Sequence, residues 1–187
     1  SKYVNRVVIS TDSRKIAEEA LKNKGEIPFI RPSKLAHSRS PEIKTWKHAI
    51  KNLNKEKDID FFVSVPTTSP LRKTSDINKC INKAIREKLD IVFAVSNSSK
   101  NPYFNILKLN KKKLDVACNN KNKIFRRQDA PKCYDLTTVC YVFRPDYIMK
   151  NKNIFRGKTG FVLIPKERAI DIDDKFDYKI ANFLSSK

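Results

Sequence analysis

The first 95 residues alternate between short apolar runs and amphipathic stretches, and this alternation restricts the fold more than any other feature. RVVIS (6–10) is a β-branched run that reads as a buried strand. TDSRKIAEEALKNKG follows, with Asp12 or Ser13 placed to cap a helix whose apolar side is Ile16, Ala17, Ala20 and Leu21, and Gly25 placed to end it. IPFI (27–30) is a second short strand, stopped by Arg31-Pro32. PEIKTWKHAIKNL (41–53) sets Ile43, Trp46, Ala49, Ile50 and Leu53 on one helical face. DFFVSV (60–65) is a third strand, SDINKCINKAIREK (75–88) a helix opened by a Ser or Asp cap, and DIVFAV (90–95) a fourth strand. Strands alternating with helices predict a mostly parallel sheet with helices on both faces, an α/β architecture. Ligands of such folds bind beyond the carboxyl ends of the strands. That rule selects the loops STDS, RPSKLAHS, PTTSPLR and SNSSKNPY.

From 100 to 165 the pattern changes. FNILKLN, TTVCYVF and FVLIP read as strands between polar turns, which predicts an antiparallel arm. With no internal repeat and no linker, the arm belongs to the same domain, so residues 1–187 are expected to form one unit.

Composition narrows the function. No apolar run approaches the roughly 20 residues that cross a bilayer, and the N-terminus SKYVNRVVIS has no signal-peptide pattern, so a cytoplasmic protein without a membrane partner is expected. Cys80, Cys118, Cys133 and Cys140 form no CxxC pair, and His37 and His48 have no zinc spacing. The net charge of +20 comes from lysines spread along the chain, without interleaved aromatic residues, which argues against nucleic acid as a partner but suits a polyphosphate. Against that background AIDIDDKFDYKIA (169–181) gathers Asp171, Asp173, Asp174 and Asp177 within seven positions.

Five segments in order, VVISTDS, FIRPSKLA, VPTTSPLR, RRQDAPKCYDLTTVCYV and AIDIDDKFDY, resemble the CMP-sialic acid synthetases (acylneuraminate cytidylyltransferases). The resemblance runs through nearly the whole chain. It implies a Rossmann-like nucleotide-diphospho-sugar transferase fold. It also implies an enzyme that joins CTP to a nonulosonic (sialic-type) acid with Mg2+ and releases pyrophosphate, usually as a homodimer with the 100–165 arm reaching across. Asp171 and Asp173 match the family's metal aspartates. Two apart on an extended segment, they point to one side, and Ile170 and Ile172 to the other. Mg2+ prefers such oxygen ligands. Asp174 and Asp177 lie where the last helix begins, where acids are stabilised by the helix dipole. The resemblance places Arg31, Ser69 and Arg72 near the nucleotide. It turns Arg127 and Gln128 toward the sugar acid, with Arg127 suited to its carboxylate. Tyr141 and Phe155 fall at aromatic sugar-pocket positions, where core packing explains them equally well. For Arg31 and Arg72 the alternatives are a surface ion pair and a loop brace.

The sequence also departs from the family. The basic, glycine-containing phosphate loop and its strand, found at the start of family members, have no counterpart here, and the glycines are Gly25, Gly157 and Gly160 alone. A truncated enzyme or a degenerate relative would fit, and weak or absent turnover is expected of this chain. Neighbours of the absent strand are expected to be left unpaired unless something fills the gap. Pro66-Thr67, Thr137-Thr138, Phe104 and Ser38 replace residues common in the family, which points to a legionaminate- or pseudaminate-like acceptor. Competing readings are a 3-deoxy-manno-octulosonate cytidylyltransferase, a non-catalytic binding subunit, and a basic RNA-binding protein.

Overall fold

The structure is a computed structural model that describes residues 1–37, 39–54, 58–118 and 124–186. In chain order the elements are α1 (Arg14–Lys22), α2 (Glu42–Leu53), β1 (Phe62–Ser64), α3 (Thr74–Arg86), β2 (Ile91–Asn97), β3 (Leu107–Asn110), β4 (Lys113–Val116), β5 (Tyr134–Phe143), α4 (Pro145–Lys150), β6 (Thr159–Leu163) and α5 (Lys175–Ser185). Short 3-10 turns occupy Ser33–Leu35, Arg127–Asp129 and Lys166–Arg168.

The sheet has the order β1-β5-β2-β6. β2 and β6 are parallel, while β5 runs against both β1 and β2. Three strands therefore share one direction, and their carboxyl ends, at Ser64, Asn97 and Leu163, lie on one edge of the sheet. β5 starts on that same edge, because Tyr134 pairs with Asn97 and Phe143 with Ile91.

Strand β2 is apolar from Ile91 to Val95 because both its faces are covered there. Ile91, Phe93 and Val95 join Tyr141 and Phe143 of β5 under Trp46 and Ile50 of α2 and Tyr147 and Ile148 of α4. Val92 and Ala94 join Val139, Cys140 and Val142 under Cys80, Ile81 and Ala84 of α3. Helices thus cover both faces, as the alternation predicts. Phe143 is the centre of the first layer. It is fully buried, stacks on Phe62 at 5.1 Å between ring centroids, and meets Trp46 at 4.9 Å.

Several expectations need correction. TTVCYVF and FVLIP are not part of an arm: they are β5 and β6 of the main sheet. Only β3 and β4 form a separate two-stranded hairpin, with Leu107 opposite Val116. RVVIS and IPFI do not reach strand geometry within the sheet. They meet through one parallel bridge, Val8 to Glu26, with the Ile9 and Glu26 amides bonded to Glu26 and Val7 carbonyls. Among the described residues no strand pairs with the outer edge of β1, and that pair of segments joins no strand of the sheet.

Helix ends differ in detail. Ser13, not Asp12, caps α1 by accepting the Ile16 amide. The left-handed residue after α1 is Lys24 (φ 62°), not Gly25. Gly25 is needed for closeness instead, since a Cβ there would sit 3.1 Å from both Ala20 O and Ile9 Cγ1. Among the described residues, no helix is long and apolar enough to cross a membrane.

Truncating Phe143 to alanine removes the ring that joins α2 to the sheet. The expected cost is about 3–5 kcal/mol of unfolding free energy, read by urea denaturation. A loss below about 1 kcal/mol would contradict this account of the core.

Candidate active site

The carboxyl edge gathers three loops: 65–73 after β1, 98–106 after β2 and 164–174 after β6. The first and third are tied together. The Ile172 amide donates to Thr68 O at 2.9 Å, so the aspartate segment lies along the PTTSPLR loop. Arg168 reaches back to the start of α3 and binds Asp76 through two bonds of 2.9 Å, from Nε to Oδ2 and from Nη2 to Oδ1. Asp76 is completely buried, and its Oδ2 also accepts the Lys73 amide at 3.1 Å. Burial alone would raise its pKa. The Arg168 hydrogen bonds, the Lys73 amide and the charges of Arg168 and Lys79 outweigh that and hold it below the ordinary carboxylate range.

The four aspartates divide. Asp174 caps α5 by accepting the Phe176 and Asp177 amides at 2.7 and 2.9 Å, and Asp177 returns the contact by accepting the Asp173 and Asp174 amides. This reciprocal box explains both of them without a ligand. Asp171 is different. It is half-buried, and its Oδ1 is buried without a hydrogen-bond partner. Asp173 is exposed. Among the described residues no three His, Cys, Asp or Glu side chains cluster as a protein-only metal cage. Mg2+ does not need one, because it typically takes one or two carboxylates with waters and substrate phosphates. The unpartnered oxygen of Asp171 fits that kind of site.

Asp171 lies within electrostatic range of Arg72 and Tyr141. Arg72 braces its own loop: Nη2 donates to Pro66 O and, at 3.2 Å, to Thr138 O. Its Nε is buried and unpartnered. Burial lowers the guanidinium's pKa, partly offset by Cys140 and Asp171. Ser69 is fully buried, with its hydroxyl 2.6 Å from that of Thr138. Thr137 fills the β-bulge between Phe93 and Val95 by donating to Ala94 O at 2.8 Å. The Thr137-Thr138 pair therefore places one hydroxyl in the sheet and the other under the PTTSPLR loop.

Arg31 pairs with Asp12 at 3.4 Å, and its own amide donates to Thr11 O at 2.8 Å, which joins STDS to RPSKLAHS. Its Nε is buried without a partner. Phe29, two positions before Arg31, meets His48 of α2 edge-on at 5.1 Å. Burial, then the charges of Arg31 and Lys34, lower the His48 pKa. Ser38 lies outside the described residues.

Tyr141 packs in the core against Trp46, and its phenol pKa is pushed up to about 12 by burial, then by Glu42, Asp171 and Cys140. Glu42 opens α2, and burial raises its carboxyl's pKa against opposing hydrogen bonds to Trp46 and Ser64. Phe155 is 60% exposed and stacks on Phe93 at 5.1 Å. The structure brings it to a hollow of about 260 Å3 lined by Val95, Tyr134, Leu136, Thr159, Gly160 and Phe161 as well. Arg127 and Gln128 are exposed on the 3-10 turn. Arg127 Nη2 donates to Ser98 O at 3.1 Å. Asn101 holds the same turn, donating to Pro131 O at 2.8 Å.

Sequence reasoning missed Asp76, Arg168, Asn101 and Glu42. Asp76 reads as a helix cap, and nothing local announces a partner 92 positions away. One further pattern could not have been foreseen. Among the described residues, the buried side-chain polar atoms without partners belong to Ser10, Arg31, Ser40, His48, Arg72 and Asp171. Except for Ser40, which lies just before α2, they sit on the loops just described or on α2 itself.

Two solved structures share the fold: 4-diphosphocytidyl-2C-methyl-D-erythritol synthase from Anaerococcus prevotii (TM-score 0.68, 15% identity, 100% of this chain and 84% of that chain) and CMP:2-keto-3-deoxy-manno-octonic acid synthetase complexed with CTP (TM-score 0.62, 11% identity, 98% and 83%). By sequence, post-translational flagellin modification protein B of Campylobacter coli is 32% identical over 188 residues, covering 98% of this chain and 78% of that protein. CMP-N,N'-diacetyllegionaminic acid synthase of Campylobacter jejuni is 31% identical over 188 residues, covering 100% and 79%. N-acylneuraminate cytidylyltransferase of Escherichia coli is 24% identical, covering 100% of this chain and 43% of that protein. No protein-family profile matches the chain. The chain belongs to the CMP-sialic acid synthetase family of cytidylyltransferases.

The depressed pKa of Asp76 fixes a pH dependence. Its folded value lies below its unfolded value of roughly 3.9, so its contribution is complete above that pH and is lost as pH falls through the folded value. Acid titration of thermal stability should show a loss in wild type below about pH 4 that is smaller in Asp76→Asn. Equal slopes in the two proteins would contradict the assignment.

Proposed function

We propose that this cytidylyltransferase activates a nonulosonic acid of the legionaminate or pseudaminate kind with CTP. The anomeric hydroxyl oxygen forms a bond to the α-phosphorus, the bond to the β-phosphate bridging oxygen breaks, pyrophosphate leaves, and the hydroxyl proton passes to solvent. The observation that carries the reading is the concentration of unpartnered buried polar atoms on Arg31, Arg72 and Asp171, where a charged ligand would complete them.

In this reading Arg31 and Arg72 turn their free Nε groups toward the nucleotide, already oriented by Asp12 and by the carbonyls of Pro66 and Thr138. Ser69 acts from below, holding the loop through Thr138. Asp171, with Asp173, would hold Mg2+, which neutralises phosphate charge and aligns the triphosphate when bound. Arg127 offers its exposed guanidinium to the acid's carboxylate, with Gln128 beside it. Phe155 and Tyr141 border the acceptor. The legionaminate-type acceptor is supported by the identity to the Campylobacter jejuni synthase and by Thr137-Thr138, whose hydroxyls are committed to the bulge and the loop. CTP as a substrate supports a cytoplasmic location.

A second copy of the chain is the proposed partner. On the face of the sheet that carries Phe93 and Val95, helices leave Leu136, Phe155, Phe161 and Leu163 between 46% and 60% exposed. An apolar patch of this kind suits a homodimer interface. Phe161→Glu should shift the mass measured by light scattering from dimer to monomer, and a wild-type monomer at all concentrations would remove the proposal.

The functional test is CTP consumption with Mg2+ and a panel of 2-keto nine-carbon acids, read as pyrophosphate release. Legionaminate- or pseudaminate-type acids should give product above N-acetylneuraminate. Asp171→Asn should lower that rate by roughly a hundredfold or more. Strict preference for N-acetylneuraminate would reject the acceptor, and an unchanged rate in Asp171→Asn would reject the metal role.

A further inference from the structure

We propose that the buried Asp76–Arg168 ion pair is a positioning device: it holds the segment 169–173 against the PTTSPLR loop so that the Asp171 carboxylate stands at the strand tips. The inference rests on the reading of Asp171 as a metal carboxylate, and it concerns residues that touch neither nucleotide nor sugar.

The argument begins with what a buried pair is good for. An ion pair taken out of water adds little net stability over apolar side chains of the same volume. Its advantage is geometry, because a guanidinium that meets a carboxylate through two parallel bonds is fixed in both direction and distance. Asp76 has no exposed surface and both its oxygens are bonded to Arg168 at 2.9 Å. Its carboxylate is anchored in turn by the Lys73 amide, so it moves with the first turn of α3. Arg168 closes the 3-10 turn Lys166–Arg168, and its amide donates to Pro165 O at 3.0 Å. The pair therefore joins two rigid pieces, the α3 N-terminus and the turn after β6.

What lies between these anchors is the candidate metal segment. It is pinned at Arg168 by Asp76, at Ile172 by Thr68 O, and at Asp174 by the capping box. Asp171 sits between the first two pins, and its unpartnered Oδ1 makes no bond that would hold the side chain by itself. The other side of the contact is equally braced. Arg72, two positions before α3, ties the loop to Pro66 O and Thr138 O. If Arg168 releases Asp76, the hydrogen bond that remains between the aspartate segment and the loop, among the described residues, is that of the Ile172 amide to Thr68 O.

Two variants test this. Asp76→Asn removes the charge at constant shape. Arg168→Lys keeps the charge but cannot form the two-pronged contact, and it serves if the first variant fails to fold. Backbone hydrogen exchange, measured without metal, should be roughly tenfold faster at the Ile172 amide in either variant, while the amides of β2 and β5 keep their wild-type protection. Mn2+ affinity in the presence of CTP, followed by electron paramagnetic resonance, should fall by roughly tenfold. In an Asp171→Asn background, Arg168→Lys should cause no further loss, because the effect passes through Asp171. Unchanged exchange at Ile172, or losses of Mn2+ affinity that add in the double variant, would overturn the proposal. A wild-type chain that binds no Mn2+ with CTP would refute the metal reading instead, and the exchange result would then decide the positioning claim alone.

Discussion

The placement of strand β2 between β5 and β6 is the constraint on which the site depends. Its two-sided burial fixes α2 and α4 on one face and α3 on the other. Its parallel register with β6, Phe93 beside Phe161 and Val95 beside Leu163, sends the chain after β6 to the same edge as the chain after β2. Its antiparallel register with β5 brings Thr137 and Thr138 to the base of that edge. The loops that carry Arg72, Asp171 and Asn101 meet there because one apolar strand has no free face.

Much of this was legible in the sequence, and the reasons for the failures are specific. The first three helices show a 3.6-residue apolar period, and each forms within a residue or two of its expected bounds. FFVSV and IVFAV are apolar runs too short for helices, and both contribute strands. The direction of a strand is not legible in this way, because a run buried on both faces reads identically in either orientation. For that reason TTVCYVF and FVLIP passed for an arm, although they belong to the sheet. Helix α4 is six residues long and opens with Pro145, too short to show a period at all. RVVIS has the composition of a strand, but a strand exists only as a pairing, and its one parallel bridge falls outside the sheet.

The site was legible by chemistry and illegible by partnership. Asp174 and Asp177 could be assigned to a helix cap because the cap's partners are neighbours in the chain. Asp171 and Asp173 are paired by the family resemblance, and the structure separates them: Asp171 is half-buried with an unpartnered oxygen, whereas Asp173 is exposed. The roles of Ser69 and Arg72 turn on Thr138, nearly seventy positions away, and so could not be separated from simple loop bracing. Both do brace the loop, and Arg72 does so while leaving Nε without a partner. The structural and functional readings of that residue are therefore compatible.

The unpartnered atoms bear on the strong positive charge of the chain. A formal charge of +20 attracts any polyanion and distinguishes none. Discrimination requires groups fixed in place with bonding capacity left over. A buried polar atom without a partner costs about 1–3 kcal/mol, so such atoms persist where something other than stability retains them. Among the described residues they include two arginines and an aspartate of opposite charge, and both arginines are held by neighbours through their remaining atoms. Lysines across the surface can bring a triphosphate near, but only a site that holds cation and carboxylate side by side can take both the phosphates and the ion that accompanies them. On the proposed reading, that requirement is met by Asp171, while Asp174 and Asp177 serve the α5 cap.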